Sequence, residues 1–445
     1  MPVQEDEIMK QKGENQNKMK MIRAGSEEFR KFFKLLLERH GKGSLEIDRR
    51  VGRIIEKVSR YGDRALIELT KKFDGVKIKA EALKVSEKEF IAAEDMVPDD
   101  VKKAMKTAMT RIKKYHLKFL RGSRVYSEKK GIFLGQGIRA VGTAGIYVPG
   151  GKASYPSSVF MNAIPARIAG VKKIIMCTPA PRGELNPYSL VAARLCGIDE
   201  VYRIGGAQAI AAMAFGTETV PRVDKIVGPG NIYVATAKRM VFGKVGIDMV
   251  AGPTEIVVIA DSGANPGYIA ADMLSQSEHD ETASAILITN SEKIASQVKI
   301  EISAQIKKLK RSEIACKSLK NFGAVIITEN IDEGIGIANQ IAPEHLEIMV
   351  RNPMRIVSKV ENAGAVFLGS YTPEVLGDYA AGPSHVLPTG GTARFSSVLS
   401  VDDFMKRISL IFYDRKEFLK VKKLLITLAS IEGLDAHAKS AMVRK

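Results

Sequence analysis

Apolar residues recur at helical spacing through the first quarter of the chain. Phe29, Phe32, Phe33, Leu35 and Leu36 stripe one segment, and Val51, Ile54, Ile55 and Val58 stripe the next. Ser86 with Glu89 makes a capping box ahead of a third helix. Lys129-Lys130-Gly131 then turns a short hairpin. From about residue 145 the rhythm changes to strand, helix, strand. Apolar runs at 173–177, 200–204, 224–227 and 248–260 alternate with helical patterns at 189–196 and 207–215 and with a further helix after Asn231. A second run of the same kind follows, with strands at 285–289, 324–328, 346–350 and 365–368 between helices at 266–279, 292–309 and 334–341. Such alternation predicts an α/β protein with parallel sheets covered by helices. The tail reads as a strand at 408–413, a helix at 415–430 and a short helix from Asp435. Residues 1–24 show no periodicity and read as a loosely ordered extension.

Composition narrows the class. At 445 residues the chain exceeds one ordinary core. No apolar run reaches the roughly 18 residues of a spanning helix, and the polar N-terminus lacks the apolar core of a signal peptide. Cys177, Cys196 and Cys316 lie too far apart for a disulfide framework or a CxxC metal site, which points to the cytoplasm. The net charge of +18 is spread over apparent helices. Without zinc-finger spacing, an RRM signature or an aromatic-interleaved basic stripe, it reads as a solvated surface rather than a nucleic-acid interface.

The chemistry gathers at the ends of elements. No GxGxxG occurs; Gly205-Gly206 and Gly230-Asn231 each open a helix, where backbone N–H groups can meet a pyrophosphate or the glycines can serve the turn alone. Of six histidines, His40 and His116 sit in basic helices and read as surface residues. The other four, His279, His345, His385 and His437, lie among turn residues, each with a carboxylate within seven positions. Gln276 and His279 are three apart, so on a helix they share a face and can converge on a metal. A set of Gln, Asp and two His is a hard-to-borderline donor shell for a divalent ion. Glu344 beside His345 couples a carboxylate suited to water activation with an imidazole suited to repeated proton transfer.

These four histidine segments, with Gly145–Gly151, Gly205-Gly206-Ala207-Gln208-Ala209-Ile210, Gly228-Pro229-Gly230-Asn231 and Ala251-Gly252-Pro253-Thr254-Glu255, resemble the histidinol dehydrogenases, collinearly from about Ile22 to Ala441. The resemblance implies oxidation of L-histidinol to L-histidine through L-histidinal with two NAD+. It implies one zinc ion per subunit on Gln276, His279, Asp378 and His437. Substrate contacts would come from Thr254, His345, His385 and Glu432 as well as the zinc ligands, and NAD contacts from Tyr147, Gln208 and Asn231. His345 would be the general base and Glu344 the group that activates water. Thr254 stands where the family often has serine and keeps the hydroxyl.

The family also implies two incomplete Rossmann-like domains, one from 25–146 with 254–399 and one from 147–253. A tail at 400–445 would dimerise and complete the partner's site. Two other readings compete. A sulfopropanediol dehydrogenase would need cationic groups for a sulfonate, whereas Glu432 and His385 suit an imidazole. A zinc hydrolase would use Glu344 on metal-bound water.

Overall fold

A computed structural model describes residues 19–39, 45–150 and 155–445. In chain order its strands are β1 (Lys20–Arg23), β2 (Arg124–Lys129), β3 (Ile132–Ala140), β4 (Thr143–Tyr147), β5 (Lys173–Cys177), β6 (Glu200–Tyr202), β7 (Lys225–Val227), β8 (Gly246–Ile247), β9 (Glu255–Ala260), β10 (Ser284–Thr289), β11 (Ala324–Ile327), β12 (His345–Met349), β13 (Ala365–Leu368) and β14 (Met405–Tyr413). They form two wholly parallel sheets, ordered β1-β11-β10-β9-β12-β13 and β6-β5-β4-β7-β8, and one antiparallel sheet, β14-β3-β2. Setting β1 aside, both parallel sheets repeat one order: third, second, first, fourth, fifth strand. That is the half-Rossmann pattern, once per sheet, and no sixth strand completes either among the described residues.

Burial explains why these segments are strands. β9, β10, β11 and β12 are buried at every position, as strands covered by helices on both faces must be. Two apolar layers flank each sheet.

Several expectations are corrected. The extension is not loose throughout: Lys20–Arg23 pair in parallel with β11, and Met19 and Ile22 are buried against the sheet. Four residues are too few to show a period, and the flanking lysine and arginine mask the two apolar anchors. The rest of the extension, 1–18, lies outside the described residues, as does His40. The segment 248–260 is not one strand. β8 ends at Ile247 in the second sheet, and β9 starts at Glu255 in the first.

The helices over 45–119, which the family resemblance groups with the 254–399 segment, pack on the second sheet. Val51, Val58, Leu66 and Leu69 meet Ile210 and Met213 there, and Met105 and Ile112 join the opposite layer. An amphipathic stripe fixes which helix face is buried, not which sheet buries it. His116, read as a surface residue, is buried at 1% exposure. The tail strand β14 pairs over nine residues with the hairpin strand β3, Met405 opposite Ala140 through Tyr413 opposite Ile132. Asp414 then caps the helix Arg415–Ile431 through the Glu417 N–H at 2.8 Å. This arm leaves large apolar side chains in solvent, with Ile411 and Ile431 each 75% exposed.

Candidate active site

The carboxyl edge of the second sheet faces the amino edge of the first across a cavity of about 290 Å³. Pro149 and Gly228–Gly230 follow the carboxyl ends of β4 and β7. Thr254, Glu344 and His345 stand at the amino ends of β9 and β12. Open parallel sheets bind ligands beyond their strands' carboxyl ends; the second sheet turns that edge to the cavity, and the first presents its opposite edge.

His345 opens β12, and its Nδ1–H donates to the Glu255 carbonyl of neighbouring β9 at 3.0 Å. A carbonyl only accepts, so this bond selects the neutral tautomer whose lone pair is on Nε2. Glu344, one residue earlier, accepts the Glu255 N–H at 3.0 Å and the Thr254 hydroxyl. Burial, more than these hydrogen bonds oppose it, pushes the Glu344 carboxyl up to about 8. A carboxyl in that range exchanges its proton near neutral pH. The Glu255 side chain is occupied elsewhere, by the Arg39 guanidinium and the Gly390 N–H, so it serves the site through its backbone.

Gln276 lies in the last turn of the helix Pro266–Ser277 and is almost wholly buried. Its Nε2 donates to both oxygens of Glu374, at 3.0 and 3.1 Å, and its Oε1 lies against the Thr254 hydroxyl. Glu374 and Asp378 are four apart on the helix Glu374–Tyr379 and share a face. The Glu347 carboxylate, two residues beyond His345 on the same face of β12, accepts the Glu374 N–H at 2.8 Å and ties that helix to the strand. Burial pushes the Glu374 carboxyl up to about 7. His279, just past the helix end, lines the cavity at its exposed rim. Burial by the surrounding protein still holds its pKa below the ordinary value against the charge of Asp378, and the same is true of His385. Both rings therefore keep a nitrogen lone pair available for a metal or a proton.

A divalent cation fits this donor chemistry. Ligand atoms of His345, Glu374 and Asp378 lie within 4.8 Å of one another. Of the expected zinc set, His279 and Asp378 line the cavity, and Gln276 reaches it through Thr254 and Glu374. Glu432 and His437 do not join it within the chain. They sit exposed on the arm, around a separate hollow beside Phe418 and Leu425. Sequence reasoning missed Glu374, although its spacing from Asp378 was a signal. Glu347 and Arg39 carried none, because nothing local distinguishes them from other charged residues.

The expected NAD contacts lie on the second sheet's carboxyl edge. The Tyr147 hydroxyl, at the end of β4, accepts the Gly206 N–H at 3.0 Å, and burial pushes it up to about 12. That bond engages one of the two glycine turns internally. Gln208 is buried in the following helix. Asn231 caps the helix Ile232–Val241, its Oδ1 accepting from Tyr233 N–H and Val234 N–H at 3.1 and 3.2 Å. Its amide nitrogen is not part of that cap.

A tautomer-fixed imidazole and a poised carboxyl stand across the cavity from the carboxyl edge of a half-Rossmann sheet, the layout expected of a dinucleotide-linked dehydrogenase. The family model for histidinol dehydrogenase matches residues 37–445. The histidinol dehydrogenase of Clostridium acetobutylicum is 52% identical over 427 residues, covering 96% of this chain and 99% of that one. That of Geobacter sulfurreducens is 51% identical over 413 residues, covering 93% and 96%. The crystal structure of histidinol dehydrogenase from Elizabethkingia anophelis superposes with a TM-score of 0.90 at 37% identity, covering 96% and 98%. The chain belongs to the histidinol dehydrogenase family, NAD-linked oxidoreductases of the last step of histidine biosynthesis.

Proposed function

We propose that this chain oxidises L-histidinol to L-histidine through L-histidinal in the cavity between the sheets, dividing the proton chemistry between His345 and Glu344. The observation that carries this is the His345 Nδ1–H bond to the Glu255 carbonyl, which leaves Nε2 as the base beside the Glu374 and Asp378 carboxylates. In the alcohol step Nε2 takes the hydroxyl proton; in the second step it takes the proton of the aldehyde hydrate. Glu344, held by Thr254 and the Glu255 N–H, removes the proton of the water that forms that hydrate. Gln276, His279, Asp378 and the partner's tail residue corresponding to His437 would hold one zinc ion. When bound, zinc supplies a positive charge that fixes and polarises the substrate, and two NAD+ accept the two hydrides. Thr254, His385 and Glu432 would orient the substrate, and Tyr147, Gln208 and Asn231 the dinucleotide. The metal's identity, the homodimer and a cytoplasmic location belong to this reading; among the described residues no helix is long and apolar enough to cross a membrane.

The test is NADH formed per histidinol consumed, in wild type and two variants. Wild type should form two and lose activity with a chelator. Glu344→Gln should slow histidinal oxidation by about a hundredfold and histidinol oxidation by less than about tenfold, in the range of general-base losses. His345→Asn should slow both. Equal losses on both substrates in Glu344→Gln would refute the division of labour.

A further inference from the structure

Past the carboxyl end of β7 the backbone turns through Gly228-Pro229-Gly230 into Asn231, and this turn lines the cavity. Gly228 is in the left-handed region at φ +111°, and a Cβ there would lie 2.1 Å from the Tyr147 carbonyl oxygen. The turn is therefore pressed against the end of β4 on one side. On the other side it is held by two buried charges. Lys238, in the helix that Asn231 caps, donates from Nζ to the Gly228 carbonyl at 2.9 Å and to the Asp248 carboxylate. Asp248, just past the end of β8, accepts the Gly228 N–H at 2.8 Å through Oδ2 and the Met249 N–H at 2.7 Å through Oδ1. The two side chains are 2% and 0% exposed.

A buried ion pair is weak as a source of stability, since well-packed apolar side chains of equal volume often serve as well. An apolar pair would not, however, hold both the N–H and the carbonyl of one glycine. That is what this pair does, at the turn carrying Asn231.

We propose that Lys238 and Asp248 are positioning residues for the dinucleotide, acting by fixing the Gly228–Asn231 turn at the cavity wall. They touch neither reacting atoms nor the metal donors, so their effect falls on cofactor affinity. The proposal rests on the assignment of this edge to NAD made above.

The experiment compares wild type with Lys238→Met, Asp248→Asn and the double variant by steady-state kinetics, zinc analysis and thermal melting. The KM for NAD should rise at least tenfold in each. The KM for histidinol, the zinc content and kcat at saturating NAD should stay within about threefold. The single variants strand a charge and melt early, whereas the double variant buries none and should melt near wild type while keeping the raised KM. A KM for NAD within twofold of wild type in any soluble variant overturns the proposal. So do equal shifts in both KM values with loss of zinc, or insolubility of all three variants, because these mark a purely structural pair. Failure of wild type itself to make NADH from histidinol would instead sink the functional reading, whatever the variants do.

Discussion

Glu344 and His345 are neighbours in sequence with unlike surroundings. One is a carboxyl raised by burial, the other an imidazole whose tautomer is set by a backbone carbonyl. Their adjacency was legible because histidine is rare in the chain and the pair sits where a helical pattern gives way to a strand. His116 shows the limit of that reading. Its basic helix suggested exposure, yet the ring is buried with both nitrogens unpartnered among the described residues, and burial pushes its pKa down to about 4. An unfolded histidine titrates near 6.5. Between those values the unfolded chain binds a proton that the folded chain refuses, so stability falls as pH drops from about 6.5 to 4, by at most about 3 kcal/mol. His116→Leu should remove that component. Urea midpoints at pH 5 and pH 7.5 measure it: the gap should be narrower in the variant, and an unchanged gap would contradict the assignment.

Among elements, strands were legible and their partners were not. The alternation of apolar runs and helical stripes located most strands of both parallel sheets, because full burial leaves a strong mark on composition. Sheet order, the assignment of the helices over 45–119 and the pairing of β14 with β3 depend on contacts far apart in sequence, which local periodicity does not encode. β1 was missed for the opposite reason, being too short for any pattern. Its contribution is measurable: Ile22 and the preceding Met19 are each buried to within a few per cent, which is worth about 3–6 kcal/mol together at about 1.5–3 kcal/mol per side chain. A chain beginning at Ala24 should therefore melt several degrees below one beginning at Met19. Coincident melting curves would show that the edge strand adds nothing to the sheet.

At the scale of the molecule, the two sheets meet with opposite polarity. The second offers its carboxyl edge, suited to a dinucleotide. The first offers its amino edge, where the strand starts carry His345 and, one residue earlier, Glu344, the base and water-activating carboxyl of the proposed reaction. The arm stands apart, with Ile411, Leu424 and Ile431 in solvent and with Glu432 and His437 distant from the groups they are expected to join. Exposed apolar surface of this extent marks an interface. A second copy placing its arm there would bury that surface and bring the missing ligand to the metal. The proposed dehydrogenase site is therefore one shared between two chains. Co-expressing His437→Ala and His345→Ala chains under two affinity tags tests it most directly. Neither parent homodimer should oxidise histidinol. In a mixed dimer one of the two sites combines a sound cavity with a sound tail. With half the dimers mixed at random exchange, activity should return to about a quarter of wild type. A purified mixed dimer as inactive as its parents would contradict the shared site and leave each tail serving its own chain.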